Sequence, residues 1–288
     1  MTIYDKLIRC YCSSLCPPPE YRRGKPNLRP VIGILSHPGD GASGRLSKSP
    51  NASYIAASYV KFVESAGGRV IPLIYNEPQN ILEHKLSLVN GVIITGGGET
   101  TGLYYEAVDF IFKIVMTKND DVDHFPLLAI CLGFELLTMI VGEDRNILEP
   151  FDAANHTSTL HFIDGIDLKK TLFQRFPRPL LNKLRKECLV MQSHHYGISP
   201  NKFQKSVKLR NFFKILTTST DRQGKEYVST IQARKYPVTA VQWHPEKNAF
   251  EWGLSMIPHS EDAVEVTQLV ANFIRGSQVY DQAVSPEH

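Results

Sequence analysis

Ala129-Ile130-Cys131-Leu132-Gly133 sets a cysteine between an apolar run and a helical pattern. Strand, tight turn and helix form the setting of a nucleophile elbow, which requires small residues two before and two after the nucleophile. Ala129 and Gly133 meet that demand, with alanine where glycine is commoner. The turn places the sulfur at the N-terminus of the following helix, where the partial positive charge is expected to favour thiolate over thiol. A buried structural cysteine at a strand end is the competing reading of the same five residues.

A cysteine nucleophile needs a base to take its proton and return it to a leaving group, and the base needs an acceptor to orient it. Gln242-Trp243-His244-Pro245-Glu246 supplies both within three residues, His244 as base and Glu246 as orienting carboxylate, with Pro245 stiffening the chain between them. Gly96-Gly97-Gly98 closes another apolar run. Glycines at the carboxyl end of a strand let backbone N–H groups approach a developing oxyanion without side-chain obstruction. A phosphate-binding loop is the rival, but neither G-x-x-x-x-G-K-[ST] nor G-x-G-x-x-G occurs. A plain tight turn is the other reading of three glycines.

These pieces need a scaffold that brings strand ends together. Val31–Leu35, Val70–Ile74, Val92–Thr95 and Leu127–Cys131 read as short buried strands, and residues 54–66, 104–118 and 134–141 as amphipathic helices between them. Strands alternating with helices at this spacing imply right-handed β-α-β units, a parallel sheet and helices on both of its faces. Residues 213–219, 227–233 and 238–243 are strand-like with turn signals between them, which suggests a mixed sheet closing one edge before a last helix over 263–275. Residues 155–185 give no clear pattern. The expectation is a three-layer α/β sandwich forming one domain over residues 30–280. A Pro- and Arg/Lys-rich extension precedes it over 1–29, and a short tail follows over 281–288.

Composition narrows the class further. The 288 residues are 42% hydrophobic and 21% charged, enough apolar content for a sizeable core. A net charge of +3 is too small a surplus to imply a nucleic-acid partner. No run of about eighteen apolar residues argues for a membrane-spanning helix, so no membrane insertion is expected. Five cysteines, with Cys10, Cys12 and Cys16 crowded at one end and Cys131 and Cys188 apart, fit neither a disulfide scaffold nor a tetrahedral zinc site. No metal and no cofactor is expected. Asp5, Lys6 and Arg9 interrupt any apolar stretch that would read as a secretory signal, while Asn51-Ala52-Ser53 and Asn155-His156-Thr157 are glycosylation acceptors that hint at the secretory route.

Taken together, the Cys-Leu-Gly elbow, the late His-Pro-Glu and the glycine loop resemble, in their chain order, the class I glutamine amidotransferase superfamily. Within it the chain is most similar to the gamma-glutamyl hydrolase family, the plant branch in particular. The segments that carry this are residues 53–61 (SYIAASYVK), 64–67 (ESAG), 131–137 (CLGFELL) and 241–247 (VQWHPEK). The likeness spans roughly residues 30–276. Glutaminase members usually read Cys-Leu-Gly-His-Gln, whereas Phe134 and Glu135 occupy the last two positions here, as in gamma-glutamyl hydrolases. The resemblance implies a flavodoxin-like sandwich. It also implies a cysteine hydrolase that cleaves poly-γ-glutamyl folate tails through a thioester on Cys131, with His244 and Glu246 in the roles above. Gly97 or Gly98 together with Leu132 would hold the oxyanion. Further implied substrate contacts are His194, which aligns with the family's histidine better than His195 does, and Glu135 and Tyr54. A homodimer and a vacuolar or extracellular location follow from the same likeness. Two other readings use the same fold: a glutaminase subunit feeding ammonia to a synthase, and a non-catalytic protein with Cys131 as a redox-sensitive thiol.

Overall fold

The computed structural model describes residues 29–39, 52–121 and 123–277. The N-terminal extension (save Arg29), Cys10, Cys12, Cys16, Asn51 and the 281–288 tail lie outside them. The first half alternates strand and helix: β1 (Val31–Leu35), the short β2 (His37–Pro38) and β3 (Ser53–Tyr54), α1 (Ala57–Ser65), β4 (Arg69–Leu73), α2 (Gln79–Ser87), β5 (Gly91–Ile94), α3 (Gly102–Asp120), β6 (Leu127–Ile130) and α4 (Leu132–Gly142). The second half runs β7 (Glu149–Ser158), β8 (His161–Phe162), α5 (Arg178–Leu184), β9 (Val190–Gly197), α6 (Pro200–Lys205), α7 (Val207–Phe212), β10 (Phe213–Thr220), β11 (Glu226–Ala233), β12 (Val238–Val241), α8 (Lys247–Phe250) and α9 (Glu261–Ser277).

Eight strands form one sheet in the order β4-β1-β5-β6-β12-β11-β10-β8. The first five are mutually parallel and the last three antiparallel, so the sheet is parallel where the helices alternate and closes with a meander. Side chains alternate across it, as the two-residue period of a strand demands. Leu35, Ile94, Leu127, Ala129, Val238 and Ala240 face one core with α2, α3, α4 and α7. Ile32, Ile34, Ile93, Leu128, Ile130 and Val241 face the other with α1, α5 and α9. Two cores on two faces make the expected three-layer sandwich. No described helix is long and apolar enough to cross a membrane.

Three departures from the sequence reading have local causes. The first helix starts at Ala57 and not at Tyr54, because Tyr54 pairs with His37 in the β2–β3 ribbon. Gln79–Ser87, which shows no strong periodicity, is helical because Leu82 and Leu86 alone bury into the sheet. The stretch without a pattern, 155–185, begins inside β7, which pairs antiparallel with β9 in a ribbon of its own whose register shifts twice. Those irregularities remove the two-residue alternation that would have marked a strand.

The middle of the parallel region positions the chemistry. β6 lies between β5 and β12, and the Cys131 N–H continues the ladder by donating to the Val241 carbonyl at 2.8 Å. The chain then turns at once into α4, with Cys131 at φ 52° and ψ −104°, a left-handed conformation that a side chain rarely adopts. The helix can begin this close to the sheet only because Gly133 has no side chain. A Cβ there would lie 2.8 Å from the Ile94 carbonyl oxygen and 3.2 Å from Ala129 Cβ. Gly133→Ala is therefore expected to lower stability by about 1–3 kcal/mol, the usual range for overpacking a filled core, read as a lower urea midpoint. An unchanged midpoint would show that the elbow has slack.

Candidate active site

The strand ends bring the cysteine and the histidine together from opposite halves of the chain. β12 runs beside β6, and beyond its last residue the His244 N–H donates to the Met191 carbonyl of β9 at 2.9 Å. Thr267 of α9 donates its hydroxyl to the Pro245 carbonyl at 2.6 Å, and the buried Trp243 donates its indole N–H to the Thr230 hydroxyl at 3.0 Å. The His-Pro-Glu turn is thus pinned on three sides. Within it His244 Nδ1 donates to Glu246 Oε1 at 2.8 Å, which leaves Nε2 as the ring's free basic nitrogen. A Cβ placed on Gly96 would come within 2.9 Å of His244 Cε1, 2.9 Å of Tyr59 Oη and 3.4 Å of Cys131 Cβ. Imidazole, phenol and thiol carbon therefore crowd one point, with a glycine filling the gap between them.

The glycine loop is held from behind by two side chains that sequence reasoning missed. The Gly96 N–H donates to Tyr59 Oη at 2.8 Å. His37 Nε2 accepts from the Gly98 N–H at 3.1 Å and the Glu99 N–H at 3.3 Å, while its Nδ1 bonds the Pro38 carbonyl at 2.7 Å. The His37 ring is thus neutral, with Nδ1–H as donor, and burial lowers its pKa in agreement. A Cβ on Gly97 would lie only 2.0 Å from that ring, so this glycine is required for the loop to lie on His37. The arrangement corrects one expectation. The Gly98 amide is occupied by His37 and unavailable to an oxyanion, which leaves the Gly97 amide of the loop without a hydrogen bond among the described residues. The signal for His37 was present in the sequence, a His-Pro pair directly after the first strand, but only pairing with Tyr54 turns its ring toward the glycines.

The state of the thiol corrects a second expectation. Cys131 is 3% exposed. Burial first, and then the Glu135 and Glu246 carboxylates, push its pKa well above the ordinary range, against Lys247 and the Leu132 amide. Desolvation and nearby negative charge outweigh the helix N-terminus, so the resting group is a neutral thiol that ionises only as its proton leaves. Glu246 has no exposed surface. Burial pushes its carboxyl up, but His244, the hydrogen bond from it and Lys247 together hold it below the ordinary value, so it remains ionised.

The other residues singled out from the sequence fall around this centre. His194, on β9, is buried, donates from Nδ1 to the Tyr196 carbonyl at 2.8 Å and leaves Nε2 buried without a partner. Burial, with repulsion from His244, lowers its pKa to about 3, so the ring is neutral at any working pH. Its neighbour His195 is exposed. The Cys131 thiol lies 3.8 Å from the Ser193 carbonyl, which ties β9 to the elbow. Glu135 points back along α4 and accepts from Gln242 Nε2 at 3.1 Å. Tyr54 stands beside His37, the two rings edge-on at 5.6 Å. Gln242, immediately before the pinned turn, also approaches the Cys131 sulfur at 4.0 Å.

Burial raises the Glu135 carboxyl to about 8 from the usual 4.5, against the hydrogen bond from Gln242. The group therefore keeps its proton in the folded chain at pH values where the unfolded chain has lost it, and wild-type stability falls as pH rises from about 4.5 toward 8. Glu135→Gln, which mimics the protonated form, removes that loss. Its Tm is expected to gain on the wild type across this window, measured by calorimetry at several pH values. Parallel Tm–pH curves for the two proteins would contradict the assignment.

A buried thiol, an imidazole oriented by a carboxylate and a loop amide without a partner are the parts of acyl transfer by a cysteine. Comparisons with known proteins agree. The Peptidase C26 family model matches residues 30–246. "Gamma-glutamyl hydrolase 2" of Arabidopsis thaliana is 61% identical over 264 residues, covering 91% of this chain and 75% of that protein. The gamma-glutamyl hydrolase of Glycine max is 56% identical over 248 residues, covering 86% and 72%. That of Homo sapiens is 36% identical over 249 residues, covering 85% and 76%. Among solved structures, a protein described as a GMP synthase component from Thermoplasma acidophilum superposes with a TM-score of 0.50 at 13% identity, over 86% of this chain and 96% of that one. That likeness concerns the fold alone. The chain belongs to the gamma-glutamyl hydrolase family, Peptidase C26.

Proposed function

We propose that this chain hydrolyses γ-glutamyl bonds, with poly-γ-glutamyl folates as substrates, through a thioester on Cys131. The observation that carries the reading is the buried His244–Glu246 pair, with a 2.8 Å hydrogen bond, set beside an elbow cysteine. Because the thiol is neutral at rest, the first step is general-base chemistry. His244 Nε2 takes the Cys131 proton as sulfur bonds to the γ-carbonyl carbon, and the carbonyl electron pair moves onto oxygen. The Gly97 and Leu132 amides face that oxyanion. When the tetrahedral carbon collapses, the C–N bond breaks and His244 gives its proton to the departing amine. Water then attacks the thioester, losing a proton to His244, and the released acid leaves Cys131 with its hydrogen restored. Glu246 holds the ring in the Nδ1–H tautomer and stabilises the imidazolium at each stage.

His194, with an unpartnered nitrogen beside His244, supplies an acceptor for a substrate N–H, and the protonated Glu135 offers a neutral carboxyl near the sulfur. Tyr54 belongs to the rim through His37. The glutaminase reading has less behind it: Phe134 and Glu135 stand where glutaminases carry His-Gln, and relatives at 56–61% identity are gamma-glutamyl hydrolases. Assembly as a homodimer and residence in the vacuole or extracellular space belong to the same proposal and rest on the family likeness.

A defined pentaglutamyl folate, followed by mass spectrometry, is expected to lose glutamate or short γ-glutamyl peptides with the wild type. Cys131→Ala and His244→Ala are each expected to lower the rate by about 10³-fold or more, as removal of a nucleophile or its base does elsewhere. Wild-type inertness toward the folate, with ammonia released from free glutamine instead, would support the glutaminase reading. Full activity in Cys131→Ala would remove the thioester.

A further inference from the structure

Behind Glu246 lies a second charged layer that the reaction above does not use. Lys247 is 14% exposed at its side chain, with Nζ 4.0 Å from Glu246 Oε1 and 2.5 Å from Glu251 Oε2. Glu251, one helical turn on, takes a further hydrogen bond from the Ser58 hydroxyl at the start of α1. Glu246 Oε2 is buried with no hydrogen-bond partner, so its charge is met by the His244 ring on one side and the Lys247 ammonium on the other. Burial disfavours the Lys247 cation, but Glu246 and Glu251 outweigh it and keep it charged.

The remaining groups facing the thiol and imidazole carry no charge near neutral pH. They are Tyr59 from α1, Tyr104 from α3, Glu135 from α4 and His194 from β9, each buried and held in its neutral form. Near neutral pH the fixed charges around the reacting pair are therefore the Glu246 anion and the Lys247 cation, with the Glu251 anion behind; above about pH 8 the Glu135 carboxylate joins them. Moving the proton from Cys131 to His244 creates a thiolate and an imidazolium inside this frame, so its balance decides how readily the thiol gives up its proton.

We propose that Lys247 and Glu251 are positioning residues that set the charge balance of the Cys131–His244 couple: Lys247 offsets the buried Glu246 carboxylate, and Glu251, tethered by Ser58, offsets part of the lysine's charge. The inference rests on the hydrolase reading for its purpose, but the ionisation it concerns is measurable without substrate. Removing a cation raises the pKa of a thiol and of an imidazole alike, and removing an anion lowers both, so the sign of the effect does not depend on which coupled proton is observed.

The test is the rate of alkylation of Cys131 by iodoacetamide against pH, read by peptide mass spectrometry so that Cys188 and the N-terminal cysteines do not interfere. Lys247→Gln is expected to move the midpoint up by about one pH unit, the low end of what loss of a neighbouring opposite charge produces. Glu251→Gln moves it down, and Lys247→Arg leaves it near the wild type. Midpoints that coincide in all four proteins, or that move the same way in Lys247→Gln and Glu251→Gln, overturn the proposal. If Lys247→Gln does not fold, the direction in Glu251→Gln decides. Opposed shifts in a protein inert toward γ-glutamyl substrates would sink the hydrolase reading and leave the charge balance standing. Coincident midpoints in an active enzyme would do the reverse.

Discussion

Burying the carboxylate of Glu246 is the constraint around which the rest of the site is arranged. An ion taken wholly out of water costs several kcal/mol unless partners hold it, and this one has no exposed surface. His244 meets one of its oxygens and Lys247 approaches the same oxygen from the α8 side. To keep His244 there, its backbone is bonded to β9 and the neighbouring proline carbonyl to α9. The sheet order then does the remaining work. Because β12 lies beside β6, a turn held after one strand faces the elbow held after the other. The convergence of residues more than a hundred positions apart is thus a consequence of strand neighbours.

The same burial explains why the nucleophile rests as a thiol. A dry pocket strengthens the pull of imidazole on the proton during reaction, but it penalises a standing thiolate beside Glu246. The helix N-terminus adds a favourable field that is too small to reverse this. The site thus holds an uncharged thiol. The backbone takes part: Cys131 is held at φ 52°, a conformation that persists only because strand and helix fix both sides of it. The glycine loop follows the same logic with hydrogen bonds. His37 and Tyr59 absorb the amides of Gly96, Gly98 and Glu99, and the Gly97 amide between them makes no hydrogen bond among the described residues.

Much of this was legible in the chain. Short apolar runs, small residues flanking Cys131 and the His-Pro-Glu turn after a strand each have a local physical cause, so they can be read one segment at a time. The parallel strands β1, β4, β5 and β6 fall within a residue or so of their expected limits for that reason. What could not be read depends on partners distant in sequence. The β7–β9 ribbon carries register shifts that erase alternation. His37 gains its place from a loop some sixty positions later, and its capture of the Gly98 amide decides which glycine remains free. The protonation states of Cys131 and Glu135 follow from burial, which no spacing of residues reveals. Lys247 looked like the end of a motif and becomes a counter-charge only when Glu251 and Ser58 are seen beside it.

Covalent capture of the acyl group by the sulfur is the step on which the account depends, and hydroxylamine tests it most directly. With a γ-glutamyl substrate turning over in its presence, an acyl-thioester on Cys131 is expected to partition between water and the added amine. γ-Glutamyl hydroxamate would then form in competition with the free acid, and neither product would appear with Cys131→Ala. Release of free acid alone, continuing in the Cys131→Ala protein, would show that water attacks the substrate without passing through the cysteine and would contradict the account.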